Sequence, residues 1–174
     1  MKVSVREAAR QVEEAGGLKR AKLDQSDQVI PFVSQLLGRP LPPDLKDFYR
    51  ENIAEIGEFP SYIPWWNAWM GRWETDLTVF LDLFPAEAVP LFNDGCGNIY
   101  ALDLSSGDAT PAVYFFDHEY GFHEPRWAVG SSLGTFLLLL ADHDRSIREG
   151  WPQDWQRAID PDIVTCPRAP MQPS

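Results

Sequence analysis

The chain is short of the residues on which most enzyme and cofactor chemistry depends. It holds three histidines and two cysteines in 174 residues. Cys96 and Cys166 stand far apart, outside any CxxC or Cys/His spacing that marks a metal site. A reduced compartment is the simpler setting for such a pair, with a disulfide between them as the alternative. No GxxxxGK[ST] or GxGxxG loop occurs, which removes the usual phosphate cradles; Gly95 and Gly97 read as turn glycines with no basic residue in their loop. Long apolar runs are missing as well. The longest, Phe136–Ala141, is far too short to cross a bilayer. Met1–Gly17 alternates charge with small apolar residues and lacks the apolar stretch of a signal peptide. These absences point to the cytoplasm.

Basic charge is the next scarcity. Fifteen Lys and Arg face 26 Asp and Glu, a net charge of −11. Residues 1–30 hold six basic and five acidic groups, and residues 145–174 hold four of each. Residues 31–144 hold five against 17, so the excess is all in the middle of the chain. Such a surface repels phosphates, which argues against nucleic acid and against anionic membranes as partners. It favours a cationic partner, because complementary fields raise encounter rates. Acidity that only keeps a domain soluble explains the same charge equally well.

What is present is enough apolar and aromatic material, 44% and 13%, to bury the core of one α+β domain. Val5, Ala8, Ala9 and Val12 fall at helical spacing, and Gly16-Gly17 ends that helix. A second helix is predicted over Val29–Leu37, with Pro31 in its first turn and Gly38 as its stop. In Leu41–Tyr49, Pro43 suits a first helical turn and Asp44 and Asp47 suit its positive end. Leu45, Phe48, Tyr49 and Asn52 would share a face, with Leu41 packing back as a staple.

Strand-length runs follow at Leu77–Phe84, Val89–Phe92, Asn98–Leu104, Ala112–Phe116 and Trp127–Gly130. Asn93–Asn98 is a hairpin signal, since Gly95 and Gly97 supply positive φ. Ser131 or Ser132 caps a closing helix whose packing face is Leu133, Phe136, Leu137 and Leu140. A short helix near Gln153–Ile159 and a loose end complete the chain. The Pro60- and Pro64-containing stretch 55–75 reads as either a short helix or an ordered loop.

Candidate chemistry is thin. Asp117-His118-Glu119, with His123 and Glu124 after it, adjoins groups that a metal hydrolase uses. Consecutive residues at an extended strand end cannot all turn to one ion, and the two histidines lack HxxxH spacing. Solvated loop residues are the commoner reading, so no catalytic residue, metal or cofactor is assigned. Cys96 has no neighbouring cation to lower its pKa and reads as a packed or idle thiol. Trp65, Trp66, Trp69 and Trp73 crowd nine positions. Core burial and a protein-binding hot spot are both open to them, and an exposed cluster could equally make a homodimer.

Four stretches taken in order resemble one family. They are Leu41–Tyr49 (LPPDLKDFY), Pro90–Leu104 (PLFNDGCGNIYALDL), Ala112–Glu119 (AVYFFDHE) and Ser131–Leu137 (SSLGTFL). Together they are similar to the SUKH superfamily, which includes the fungal Smi/Knr cell-wall regulators and many bacterial proteins. The resemblance divides the chain into a helical extension (1–27), a SUKH-like α+β domain (28–144) and a Trp/Pro-rich tail (145–174). It implies helices on the N-terminal side of a mainly antiparallel, curved sheet, and a closing C-terminal helix. It also implies a protein-binding role without catalysis. Many bacterial members resemble immunity proteins that neutralise a cognate toxin, while the fungal members suggest a regulatory scaffold with several partners. On the immunity reading, Asp94, Asp117, Glu119 and Glu124 would steer a cationic toxin, and the four tryptophans would anchor it.

Overall fold

The computed structural model describes residues 3–57, 62–64, 78, 83–148 and 154–167. Helix α1, Val5–Glu14, is capped by Ser4, whose hydroxyl accepts from the Glu7 N–H. Its four apolar positions are all buried. A short strand β1 (Leu18–Arg20) follows, then helices α2 (Ser26–Leu36) and α3 (Pro43–Arg50). Helix α2 starts three residues before the predicted boundary, so Pro31 lies inside it rather than in its first turn. A proline there removes the N–H that would bond to Asp27. Because Pro31 sits on the exposed side, that carbonyl is left towards water. Helix α3 buries Leu45, Phe48 and Tyr49 as expected, and Leu41 is buried beside them. Asn52 does not share this face: it takes a left-handed φ of 50° and turns the chain into β2 (Ile53–Ile56).

Strands β1 and β2 pair antiparallel, Leu18 opposite Ile56. A reciprocal backbone bridge between Ile56 and Tyr62 links this ribbon to β3 (Ile63–Pro64). Strand β3 is the edge of a five-stranded antiparallel sheet with β4 (Ala88–Asn93), β5 (Ile99–Asp103), β6 (Val113–Phe116) and β7 (Trp127–Gly130), in that order. The predicted strand Leu77–Phe84 is not seen in its described residues. Thr78 is helical, and Leu83 and Phe84 form a turn and a bend. A short apolar run satisfies a buried helix as well as a strand, so the pattern alone could not separate them.

Register decides which residues share a face. Phe92, Tyr100, Phe115 and Trp127 stand opposite one another across β4 to β7. They meet the helices. Phe48 of α3 lies 5.3 Å from Phe92, and Phe136 lies 5.3 Å from Tyr100 between ring centroids. Phe136 belongs to helix α4 (Leu133–Arg148), which buries Leu133, Phe136, Leu137 and Leu140. Ser132 caps it reciprocally: its hydroxyl accepts from the Thr135 N–H, while its own N–H donates to Thr135 Oγ1. The opposite face of the sheet carries Ala88, Ala101, Tyr114 and Phe116.

Both flanks of the domain close on α4. Helix α1 packs along it, and the residues leading into α1 lie so close that a Cβ on Gly134 would clash with the Val3 carbonyl oxygen. On the other side, helix α5 (Trp155–Ile159) and a 3-10 turn (Pro161–Thr165) return to the sheet. Of the chain beyond Ile159, expected to be loose, residues 160–167 are described and return to the core through Asp160 and Ile163. Ile163 is fully buried in the common core, and the Asp160 carboxylate, 1% exposed, accepts from Ser131 N–H at 2.5 Å, Ser131 Oγ at 2.6 Å and Thr135 Oγ1 at 3.1 Å. Among the described residues, no helix is long and apolar enough to cross a membrane.

Candidate partner-binding site

The β4–β5 hairpin and the β6–β7 connection lie at the same end of the sheet, because Asn93 and Ile99 face one another and Ile99 faces Phe116. The hairpin is shaped by Asp94. Its Oδ1 accepts from the N–H groups of Cys96 at 2.9 Å and Asn98 at 3.2 Å, and its Oδ2 from the Asn98 amide at 2.8 Å. Gly95 and Gly97 adopt φ of 75° and 97°, which side-chain-bearing residues resist. Gly97 also leaves room for a neighbour, since a Cβ there would press to 3.3 Å from the His118 ring.

That ring joins the two loops. Asn98 Oδ1 accepts from the His118 backbone N–H at 3.2 Å and lies 2.8 Å from His118 Nδ1. Asp117 Oδ1 accepts from the Glu119 N–H at 3.0 Å, closing a turn that projects Glu119 and Tyr120 into solvent. Glu124 is exposed further along the same loop. Arg126 lies with its guanidinium 4.0 Å over the Tyr120 ring, an attraction between cation and ring face.

The four acids named from sequence therefore stand on two stitched loops at one end, in two different roles. Asp94 and Asp117 hold turns by accepting backbone hydrogen bonds, while Glu119 and Glu124 reach outward. Trp65, Trp66, Trp69 and Trp73 lie outside the described residues. The His118 region forms no group of three metal-ligating side chains; among the described residues none does. Cys96 and Cys166 are free thiols, the first exposed.

Two polar clusters were not anticipated. The Tyr62 hydroxyl lies 2.8 Å from His143 Nδ1 and is also hydrogen-bonded to Tyr100. Burial, with Tyr62 and the nearby Asp94 charge added, holds the Tyr100 phenol well above its ordinary pKa. The second cluster is Asp160 with Ser131 and Thr135. Neither leaves a sequence signal, because each joins residues far apart in the chain: Tyr62 and His143 are separated by 81 positions.

Comparison with curated proteins and with solved structures gives no match. Comparison with family models gives one: the model of the SMI1 / KNR4 family (SUKH-1) matches residues 26–139. The matched stretch runs from the start of α2 into α4 and takes in α3, the five-stranded sheet and both acidic loops, with α1 and α5 outside it. With well over half its length covered, the chain belongs to the SMI1 / KNR4 family (SUKH-1).

Proposed function

We propose that this chain is a cytoplasmic immunity protein that binds a basic bacterial toxin domain and neutralises it by covering its active site or an essential surface. The observation that carries this reading is the paired acidic loops. Asp94, Asp117, Glu119 and Glu124 gather four carboxylates at one end of the sheet, and the Arg126 guanidinium nearby is turned onto the Tyr120 ring. Toxins that act on nucleic acid are cationic where they hold phosphate, and a preset acidic surface both steers and orients such a partner. Rigidity adds to the fit. The loops are braced through Asn98 and His118, so little ordering is lost on binding. Trp65, Trp66, Trp69 and Trp73 serve in this proposal as the desolvated anchors.

Affinity capture from the native organism, repeated at low and high salt, tests the reading. One basic, toxin-like protein held near stoichiometrically would support it. Several unrelated partners would support a regulatory scaffold instead. With a partner in hand, Glu119→Lys combined with Glu124→Lys should slow association at low salt by about tenfold or more. An unchanged association rate would remove the acidic loops from the interface.

A further inference from the structure

The sheet face turned away from α3 and α4 holds a cleft of about 230 Å³. Its floor is Ala88, Ala101, Tyr114 and Phe116, and Pro85 and Pro125 stand at its sides. The two alanines make the space, since larger side chains there would fill it. Phe84, next to Pro85, is stacked at 4.9 Å on Phe122 and edge-on at 5.0 Å to the lining Phe116. A cavity of about 150 Å³ accepts a benzene ring. This cleft is therefore large enough for one aromatic or branched apolar side chain.

Its described rim carries two carboxylates. Among the described residues, Glu87 and Asp103 line it and no basic residue does. The adjacent Arg39 is committed to Glu87 at 2.7 Å and to the Leu104 carbonyl at 3.0 Å. Asp103 accepts the Ser105 N–H at 2.8 Å, which fixes its carboxylate at the mouth. Pro125 joins the cleft directly to Glu124 and the loop described above.

We infer that this cleft receives a single apolar side chain of the partner, carried beside a lysine or arginine that meets Asp103, since Glu87 is already matched by Arg39. The inference rests on the binding function proposed above and specifies the recognised segment: a basic stretch with one aromatic or leucine at its centre. A second copy of this chain is a poor occupant, because a two-fold contact would set the same acidic rims against each other.

The test uses the full chain labelled with ¹⁵N and three capped tripeptides, Arg-Phe-Arg, Arg-Gly-Arg and Glu-Phe-Glu. Saturable shifts at the amides of Ala88, Ala101 and Tyr114 are expected from the first peptide, with the other two at least about tenfold weaker. Asp103→Lys should weaken that binding by about tenfold, and Ala86→Trp, an exposed turn position at the mouth, should block it. Equal binding of the acidic peptide, shifts confined to other residues, or no shift at millimolar peptide would overturn the inference. So would a concentration-dependent dimer that Ala86→Trp disperses. The two proposals fail separately. A toxin-like partner captured equally by wild type and Ala86→Trp removes the cleft and leaves the immunity reading. Selective peptide binding by a chain that captures no basic protein removes the immunity reading and leaves the cleft.

Discussion

Replacing Asp160 by alanine takes a buried carboxylate away from three donors at the start of α4. The Ser131 N–H and the Ser131 hydroxyl are bonded at 2.5 and 2.6 Å, and Thr135 Oγ1 at 3.1 Å. Hydrogen bonds to a charged group contribute about 1.5–3 kcal/mol each, and a buried donor left without a partner costs a similar amount. Thr135 can fall back on the Ser132 carbonyl, 3.0 Å away, so its share is small. The Ser131 N–H is fixed to the backbone and cannot turn as a hydroxyl can, and negative charge at a helix N-terminus adds about 0.3–1 kcal/mol. At the low end of these ranges the sum is about 3–4 kcal/mol, a large part of the roughly 5–15 kcal/mol that holds a domain together. Asp160→Asn keeps one acceptor and should lose about half as much. Urea unfolding at neutral pH, followed by tryptophan fluorescence, reads both. A chain of this size should also melt about 10 °C lower as Asp160→Ala. A loss under about 1 kcal/mol would refute the reasoning, since it would mean that the segment after α5 does not hold α4 in place.

Gly134→Ala should cost about 1–3 kcal/mol and raise amide exchange selectively in α1, because its Cβ would drive into the Val3 backbone; uniform exchange would contradict that. Tyr62→Phe removes the hydroxyl from His143 Nδ1 and from Tyr100 and should lower stability by about 1–2 kcal/mol by urea unfolding, with a smaller loss, from the Tyr100 bond alone, once His143 is also replaced. Acid should loosen α1 first. Glu7 is pulled down to about 2 by hydrogen bonds from Arg10 and Gln11, and Glu13 is lowered by Arg20, from the ordinary carboxyl value of 4.5. A depressed carboxyl stabilises the fold fully above its unfolded pKa and ceases to as pH falls through the folded one. Melting temperature should therefore hold steady down to pH 4.5 and fall between there and about pH 2, by a modest amount because both groups are exposed. Arg10→Gln should lose part of that fall; an identical profile would argue against these ion pairs.

Elements whose physics is local were legible in the sequence. Ser132 and Thr135 are three residues apart and cap the helix that Leu133, Phe136 and Leu137 define. The hairpin at Asn93–Asn98 needs Gly95 and Gly97 and shows them. Strand β2 was hidden because four residues after a left-handed Asn52 carry no periodicity worth reading. The run Leu77–Phe84 misled because apolar content measures burial and not backbone shape. The acidic residues of the candidate site could be named, since charge and loop chemistry are visible residue by residue. The joining of their two loops depends on Asn98 and His118, twenty positions apart, and needed the structure. So did the cleft, which follows from the register that sets Ala101 opposite Tyr114.

The Asp160 contact also sets an order of events during synthesis. Ser131, Ser132 and all of the sheet leave the ribosome before the residue that completes the start of α4. At about 5–20 residues per second, the interval from Ser132 to Asp160 lasts roughly one to six seconds. For that time the nascent chain carries the acidic loops and the apolar helix face without their last support. In a newly made molecule the start of α4 is thus braced only after α5 and Asp160 have emerged.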